Sequence, residues 1–384
     1  MSHMKLYIDC TETYKTKLNT GIQRVVKKIA QLSVCTPVYF DGIGFLPIDS
    51  QSLNPGKVQL VKHSRNLIVN IPLLYPLAKS AFKSCLVLKT YLTFFKNKPR
   101  YIKFKEGDVL LSADIVRGKH LVNKLQKLKI PIYQIIYDLL PLKYPQYFGG
   151  QAVEEFKRIS SLWPTYAKKL FAISKKVAQE LDQDLGVKSV DFFYLGSDFT
   201  EKNFSPILTK FEDFYLVVGT IEPRKNHIHI LETFLKLWKE GSQEKLVFIG
   251  RKGWHFKDIL KYINEAQIFF PDHFLWLDDL DDHGLESYYQ NSKAVICASI
   301  DEGFGLPIIE ALSRKKNVLC SDIQVFREIG TNYCTYFNFE LDGQDSLLEI
   351  IKCENYKIDI SDFKWLTWQE SVDRLIDKII KDQK

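Results

Sequence analysis

Residues 299–312 have the sequence SIDEGFGLPIIEAL and directly follow the apolar run AVICA at residues 294–298. A short apolar run that leads into a turn predicts a buried strand, and the glycines of the turn let a bound molecule approach the backbone closely. Pro307 is expected to be the first residue of the next helix, because proline is favoured there. Helix N-termini attract anions. The stretch therefore predicts a strand, turn and helix with a site for a phosphate or an electron-rich sugar.

Two glutamates stand eight residues apart in this stretch. Glu302 lies in the turn, and Glu310 is expected in the first helical turn among apolar neighbours. An inward-pointing carboxylate needs hydrogen-bond donors to offset its desolvation, and sugar or ribose hydroxyls would supply them. Taken singly, Glu310 is equally typical of a helix-dipole carboxylate and Glu302 of a solvated loop residue. Their combination favours a binding role for both.

A second unit of the same kind occupies residues 217–227, VVGTIEPRKNH. A helix is predicted from near Asn226, because apolar residues recur after it at helical spacing: Ile228, Leu231, Phe234, Leu235 and Trp238. Arg224 and Lys225 then lie beside the helix start, an arrangement that suits a diphosphate. The glycine spacing of a Walker loop or of a dinucleotide fingerprint is absent.

Short apolar runs alternate with segments of helical period along most of the chain, which is typical of α/β domains with parallel sheets. In the first half, strands are predicted at residues 5–9, 132–137, 169–173 and 190–194. In the second half they are predicted at residues 214–218, 245–249, 274–277, 294–298 and 317–320. Turn-forming residues at 196–198 and 203–206 predict a linker between two domains.

Length and charge distribution also favour two domains. A chain of 384 residues is longer than one hydrophobic core commonly supports. Residues 1–195 carry 30 Lys and Arg against 14 Asp and Glu, a net charge of +16, whereas the 23 and 32 such residues of 196–384 give −9. A basic half is expected to meet an anionic partner, and charge alone leaves a phospholipid surface, a lipid-linked phosphate and nucleic acid open. Seven scattered cysteines and no signal peptide predict a cytoplasmic protein.

Residues 71–96 depart from the α/β pattern. They are rich in Leu, Phe and Tyr, but lysines at positions 79, 83, 89 and 96 interrupt them, so the apolar runs are shorter than the ~20 residues that span a bilayer. Two interpretations stay open: a basic amphipathic helix on an anionic membrane surface, with contact through residues 71–100, or a core helix with a solvated, lysine-bearing face.

The two units together resemble family four of the retaining glycosyltransferases, a GT-B family that transfers sugars from nucleoside diphosphates. The second domain of that family carries a G-T-x-E-P-R-K-N loop, a strand that ends in glycine and an S-x-x-E-G-F-G-L-P-x-x-E-A stretch. The chain matches these at residues 219–226, 248–250 and 299–311, and its two glutamates match the E-x7-E motif. Residues 19–26, 137–145, 172–174 and 365–371 resemble segments that are typical of the family members that build surface polysaccharides.

The resemblance implies an α/β fold of the GT-B type, in which two Rossmann-like domains with parallel sheets face a central cleft. It implies an acceptor-side N-terminal domain at residues 4–196, a donor-side C-terminal domain at residues 211–362, and a C-terminal helix at residues 363–384 that crosses back to the first domain. The implied activity is retaining, metal-independent transfer of a hexose-type sugar to a glycan or lipid-linked acceptor, in the synthesis of a bacterial capsule or lipopolysaccharide.

The resemblance also implies site residues. The catalytic set is Glu302, Asp138, Lys225 and Arg224. Donor binding is expected from Gly21, Gly219, Thr220, Arg224, Lys225, Asp278, Ser299, Gly303, Phe304, Gly305 and Glu310. The pyrophosphate would lie on the two cations, the ribose on Glu310, and the donor sugar on Glu302 and the backbone of residues 303–305. Fixed cations would stabilise the leaving diphosphate, so no protein nucleophile is required.

The chain departs from the family pattern at two places. Tyr137 stands where the family has histidine, which leaves an imidazole role there in doubt, and Asp278 replaces a common glycine, which leaves base recognition and the choice between GDP- and UDP-linked donors open. No cofactor and no metal are expected beyond this donor. The aspartates nearby are interpreted as helix caps and loop residues: Asp278, Asp279, Asp281 and Asp282.

Other functions stay open beside the transferase. A nucleotide-sugar epimerase shares the fold but would need acid and base groups arranged for proton abstraction, and a non-catalytic scaffold would bind without turnover. Nucleic-acid binding is not expected, because the basic half lacks a recognised motif. If residues 71–100 contact a membrane, the protein lies peripherally on the cytoplasmic face of the inner membrane.

Overall fold

The computed structural model describes residues 4–16, 20–54, 100–198, 207–254, 256–278, 280–339 and 346–383. Two sheets, of seven and six strands, follow one another along the chain. The segment with a possible membrane contact was residues 71–100, and residues 71–99 of it lie outside the described part of the chain. Within the described ranges, no helix combines the length and the apolar character needed to cross a bilayer.

The first sheet has the strand order β3-β2-β1-β4-β5-β6-β7. Its strands are β1 (Leu6–Asp9), β2 (Thr36–Phe40), β3 (Phe45–Pro47), β4 (Val109–Ser112), β5 (Ile132–Ile136), β6 (Lys169–Ala172) and β7 (Val190–Phe192). The sheet is parallel, as expected, except at one edge, where β3 pairs with β2 antiparallel through a tight turn. Sequence reasoning missed β2, β3 and β4: β2 contains Pro37, and β3 has only three residues.

The second sheet is parallel throughout, in the order β10-β9-β8-β11-β12-β13. Its strands are β8 (Phe214–Val218), β9 (Leu246–Ile249), β10 (Phe274–Leu277), β11 (Ser292–Cys297), β12 (Asn317–Ser321) and β13 (Thr335–Phe337). The five predicted strands are confirmed, with small shifts at their ends. The edge strand β13 was missed, because three residues are too short for a periodic signal.

Helices cover the faces and ends of both sheets. In the first half they are α1 (Thr11–Thr16), α2 (Gly21–Leu32), α3 (Lys119–Gln126), α4 (Leu140–Lys143), α5 (Gly150–Ser160), α6 (Trp163–Tyr166) and α7 (Lys175–Leu185). In the second half they are α8 (His227–Lys239), α9 (Phe256–Phe269), α10 (Asp282–Asn291), α11 (Leu306–Ser313), α12 (Gln324–Gly330), α13 (Ser346–Lys352) and α14 (Trp368–Lys381). Short 3-10 turns lie at Ser50–Leu53, Pro145–Tyr147 and Pro223–Lys225.

The last helix, α14, packs on the first half of the chain. Thr367 and Glu370 form a capping box at its start, and the Ser371 hydroxyl donates to the carbonyl of Tyr194 at 2.6 Å. Gly196 lies so close that a Cβ there would stand 2.4 Å from the Cα of Trp368. Residues 196–198 of the predicted linker are therefore packed against the start of α14. Residues 199–206 lie outside the described part.

The carboxyl ends of the two sheets face each other. Gly303, after β11, lies against the carbonyl of Tyr137, after β5, and its own carbonyl accepts from the Ser174 hydroxyl, after β6, at 2.8 Å. Loops at the carboxyl edge of a parallel sheet are the usual place for a ligand. Two such edges meet here and define a cleft.

Candidate active site

Two loops of the second sheet converge on the carboxylate of Glu302. The Arg224 guanidinium lies 2.8 Å from Glu302 Oε1, and the Lys225 ammonium pairs with the same oxygen. The Ser299 hydroxyl donates to this oxygen at 2.8 Å. The backbone N–H of Ile300 donates to the Arg224 carbonyl at 2.9 Å, so the loops after β8 and β11 are tied together. Residues 74 or more positions apart in the chain thus form one cluster.

The two cations keep Glu302 ionised. Burial alone would raise the pKa of this carboxyl, but Arg224 and Lys225 hold the pKa at about 2. Arg224 also pairs with Glu222 at 2.7 Å, so its guanidinium is fixed between two carboxylates. The side chains of Arg224 and Lys225 remain 20% and 18% exposed. The carboxylates therefore fix the orientation of the two cations, and a ligand in the cleft can still reach them.

Close contacts between loops shape the wall beside these cations. Gly219 has a φ of +150°, and its carbonyl oxygen would stand only 1.7 Å from a Cβ on Gly250. The methyl group of Thr220 would likewise stand 2.6 Å from a Cβ on Gly253. The loops after β8 and β9 therefore touch through backbone, and Lys225 folds over Gly219 with its Cε 3.6 Å from the position a Cβ would take.

The first half of the chain reaches the cluster through Asp138. A Cβ on Gly303 would lie 3.1 Å from the Cβ of Asp138 and only 1.9 Å from the Tyr137 carbonyl oxygen. Burial raises the pKa of Asp138 and Glu302 adds to this, while Arg224 lowers it. Asp138 Oδ1 accepts from the N–H of Leu140 at 3.1 Å. Asp138 is thus brought to the cluster, as its position after β5 requires.

Two lysines that sequence reasoning missed, of which Lys176 is buried, hold the two halves together. Lys176, only 3% exposed, lies 2.6 Å from Asp301 and donates to the Glu302 carbonyl at 3.1 Å. Lys143 reaches the other oxygen of Asp301 at 3.1 Å. Their position is the signal that could have found them, since Lys143 follows β5 and Lys176 follows β6 at the carboxyl edge of the sheet.

Glu310 lies one helical turn later than expected. The helix α11 begins at Leu306, with Gly305 before it at a φ of +117°, so Pro307 is the second helical residue and Glu310 lies in the second turn. The hydrogen-bond donors of Glu310 come from the protein: Arg24 donates to Oε1 and the Tyr289 hydroxyl donates to Oε2 at 2.8 Å. The expectation of a first-turn glutamate was wrong, because Gly305 itself occupies the N-cap position.

The other expected residues differ in whether they reach the cleft. Gly21, at the start of α2, faces Leu306 across the cleft, 3.6 Å from the position of a Cβ. Phe304 is buried against Tyr194 and Trp365, so its ring belongs to the core between the halves and only its backbone can face a donor. Asp278 is exposed after β10. The capping interpretation is confirmed for Asp281, which accepts from the N–H of Gly284 at 2.7 Å.

A small pocket opens where β8 and β11 end. The residues that line it include Val218, Lys225, His227, Ser299, Gly305 and Pro307. Burial lowers the pKa of His227 to about 3, so its imidazole is neutral. Among the described residues, no group of three or more His, Cys, Asp or Glu side chains is placed to hold a metal ion.

Comparison with solved structures identifies the architecture. HepE of Anabaena, solved in complex with UDP and glucose, has a TM-score of 0.60 at 14% identity, over 98% of this chain and 95% of that chain. Sucrose-phosphate synthase of Thermosynechococcus elongatus has a TM-score of 0.57 at 14% identity, over 96% and 92% of the two chains. This chain has the GT-B fold. At such low identities the likeness concerns the fold alone.

Sequence comparisons add relatives to this GT-B chain. Residues 198–352 match the family model for glycosyl transferases group 1. The serotype-specific mannosyltransferase WbdA of Escherichia coli is 27% identical over 309 residues, which are 72% of this chain and 37% of WbdA. Another WbdA is 25% identical over 97% of this chain and 46% of its own length. The O-antigen chain mannosyltransferase RfbU of Salmonella typhimurium is 27% identical over 53% of this chain and 55% of its own length. The chain spans less than half the length of these WbdA proteins.

The N-terminal GT-B sheet carries two buried carboxyls that sequence reasoning did not single out. Asp9 ends β1 and accepts from the N–H of Thr11 at 3.1 Å, while Asp114, after β4, accepts from the N–H of Thr13. Burial raises the pKa of Asp9 to about 7 and that of Asp114 to about 6, although the threonine hydrogen bonds lower both. Their only sequence signal is a position at a strand end.

These carboxyls predict how stability depends on pH. Because their folded pKa values lie above the ordinary value of 3.8, the folded state binds more protons than the unfolded state between about pH 4 and pH 7, and stability falls as the pH rises through this window. Asp9→Asn removes one such group, so its melting temperature should fall less than that of the wild type over the same window. Thermal unfolding at half-unit pH steps measures this. Parallel curves for the two proteins would contradict the assignment.

Proposed function

We propose that this GT-B protein is a glycosyltransferase that moves a hexose-type sugar from a nucleoside diphosphate to a glycan or lipid-linked acceptor in bacterial surface polysaccharide synthesis. The cluster of Arg224 and Lys225 around Glu302, at the meeting point of two carboxyl sheet edges, carries the proposal. The group 1 match of residues 198–352 supports the reaction class. The mannosyltransferase relatives support mannose as the first sugar to test.

The donor diphosphate is assigned to Lys225 and Arg224 beside the N-terminus of α11. Both side chains are cationic and partly exposed, and the helix dipole of α11 adds positive potential at the same place. The ribose is assigned to Glu310. The contacts of Glu302 with Arg224, Lys225 and Ser299 all use Oε1, so we assign Oε2 to a hydroxyl of the donor sugar.

We further propose the retaining mechanism of family four. The acceptor oxygen bonds to the anomeric carbon on the face from which the diphosphate departs, the bond between that carbon and the diphosphate oxygen breaks, and the acceptor proton passes to the departing oxygen. Glu302 is a poor base, because the two cations hold its pKa at about 2. Its part is to orient the cations and the sugar, while Asp138, across the cleft, orients the sugar or acceptor. The fixed cations supply the charge for metal-independent transfer.

The proposal is tested by thermal unfolding with GDP, UDP, CDP, dTDP and ADP, without metal and with chelator. A rise in melting temperature with one nucleotide, growing with its concentration and insensitive to chelator, is expected from mass action. Release of that nucleotide from its mannose-linked form should then require acceptor. Interconversion of the sugar without acceptor would indicate an epimerase, and binding without turnover a scaffold. No stabilisation at millimolar concentrations would contradict the donor site.

Glu310→Ala should weaken binding of the stabilising nucleotide about 10- to 100-fold, because hydrogen bonds to a charged group contribute about 1.5–3 kcal/mol. Calorimetric titration measures this. Glu310→Gln keeps the shape and one acceptor oxygen and should lie between the alanine variant and the wild type. Equal affinities for all three proteins would remove Glu310 from the site.

A further inference from the structure

Arg24 forms an ion pair across the cleft with Glu310, the carboxylate to which the proposed donor site assigns the ribose. It lies on α2 in the N-terminal domain, and its guanidinium donates to Glu310 Oε1 on α11 of the C-terminal domain. Its other Nη atom lies 3.3 Å from Asp282. The Arg24 side chain is 26% exposed, and Asp282 is 79% exposed. Glu310 is therefore the principal partner, and it raises the pKa of Arg24.

The carboxylate of Glu310 has both oxygens engaged. Oε1 accepts from Arg24 and Oε2 accepts from the Tyr289 hydroxyl at 2.8 Å. A ribose hydroxyl that donates to Glu310 competes with Arg24 for it. A guanidinium that lost this carboxylate without a new anion would be left partly buried and unpaired, which is costly.

A diphosphate at the proposed position supplies the new anion. Gly21, one turn before Arg24, faces Leu306 at the start of α11, so the first turn of α2 lies beside the α11 N-terminus, whose residues Gly305 and Pro307 line a pocket together with Lys225. The planar guanidinium presents five N–H donors and binds phosphate oxygens in pairs.

We propose that Arg24 is a donor-binding residue that exchanges partners: it pairs with Glu310 until the donor binds, and with the donor diphosphate once the ribose takes Glu310. This inference rests on the proposed function. The two domains do not depend on Arg24 to stay together, because Lys176 with Asp301, Ser174 with Gly303, and the α7 backbone N–H groups with Glu328 also join them.

The exchange predicts effects of opposite sign for ligands with and without phosphate. In Arg24→Gln, the affinity for the nucleoside diphosphate should fall about tenfold, since a charge-assisted phosphate contact is lost. The affinity for the matching nucleoside should stay equal or increase up to several-fold, because its ribose no longer competes with Arg24 for Glu310. Arg24→Lys keeps the charge but loses the paired N–H donors of the guanidinium, so its affinity for the diphosphate should be intermediate.

The experiment is a calorimetric titration of the full chain with the nucleoside and its diphosphate at fixed ionic strength. Lys28→Gln is the matched control: Lys28 lies one turn further along α2, pairs at 2.9 Å with Asp198 in the segment packed against the start of α14, and its substitution should change neither affinity. Equal weakening of both ligands in Arg24→Gln and Arg24→Lys would mean a purely structural latch and overturn the proposal, as would unchanged affinities. Failure of the wild type to bind either ligand would instead overturn the proposed function beneath it.

Discussion

Lys225→Ala is expected to lower the rate of sugar transfer about 100- to 1,000-fold at saturating donor. The ammonium pairs with Glu302 and borders the pocket assigned to the diphosphate, where negative charge grows as the leaving group departs. Removing one preorganised group from a site of developing charge commonly costs this much. The variant also leaves Glu302 with Arg224 alone, so the pKa of Glu302 should rise from about 2.

Release of nucleoside diphosphate in the presence of acceptor measures this effect. Lys352→Ala is the control, because Lys352 also pairs with a glutamate, Glu240 at 2.7 Å, on the exposed surface of the same domain. It should transfer sugar at the wild-type rate, since an exposed pair contributes little. If Lys225→Ala binds donor more weakly but turns over normally when saturated, Lys225 contributes to ground-state binding and not to the chemical step.

Gly303→Ala is expected to lower transfer about 100-fold while leaving both domains folded. A Cβ at this position would stand 1.9 Å from the Tyr137 carbonyl oxygen on the opposite side of the cleft. The contact joins two domains, so the clash is relieved by separating them by an ångström or more, which moves Asp138 away from Glu302. A displacement of that size is enough to cost about two orders of magnitude in rate.

The matched control is Gly150→Ala. Gly150 begins α5, and nothing lies within 4 Å of the position of its Cβ, so alanine should be neutral or slightly stabilising. Transfer rate, melting temperature and small-angle scattering are measured together. Gly303→Ala should show a larger radius of gyration with a melting temperature near that of the wild type. Wild-type activity in this variant would mean that transfer does not require the contact between Gly303 and Tyr137.

The effects expected for Lys225→Ala and Gly303→Ala depend on contacts that are not equally predictable from the sequence. Glu302, Arg224 and Lys225 each follow a strand with a strong apolar signal, and parallel strands bring their carboxyl ends to one edge. The convergence of these three residues was therefore predictable from local spacing. The contact of Gly303 with Tyr137 was not, because it depends on how two separately folded sheets are oriented.

The elements that sequence reasoning missed share a physical cause. Strands β3 and β13 have three residues, and β2 contains Pro37, so none carries a periodic pattern that distinguishes it from a loop. They become strands because neighbours in the sheet satisfy their backbone groups. The packing of residues 196–198 was likewise not visible in the sequence, since its partner is the start of α14, some 170 residues away.

By itself, the sequence determined two α/β units, the strand ends that carry Glu302, Arg224 and Lys225, and the alternation that leads to two parallel sheets, because each of these is encoded in side-chain spacing over ten to twenty residues. The tertiary structure alone decided the partners of Glu310, the buried Lys176 with Asp301 and the closeness of Gly303 to Asp138. The physical reason is that an ion pair or a steric contact depends on distance in space, and Arg24 and Glu310 meet only after both domains have folded and docked.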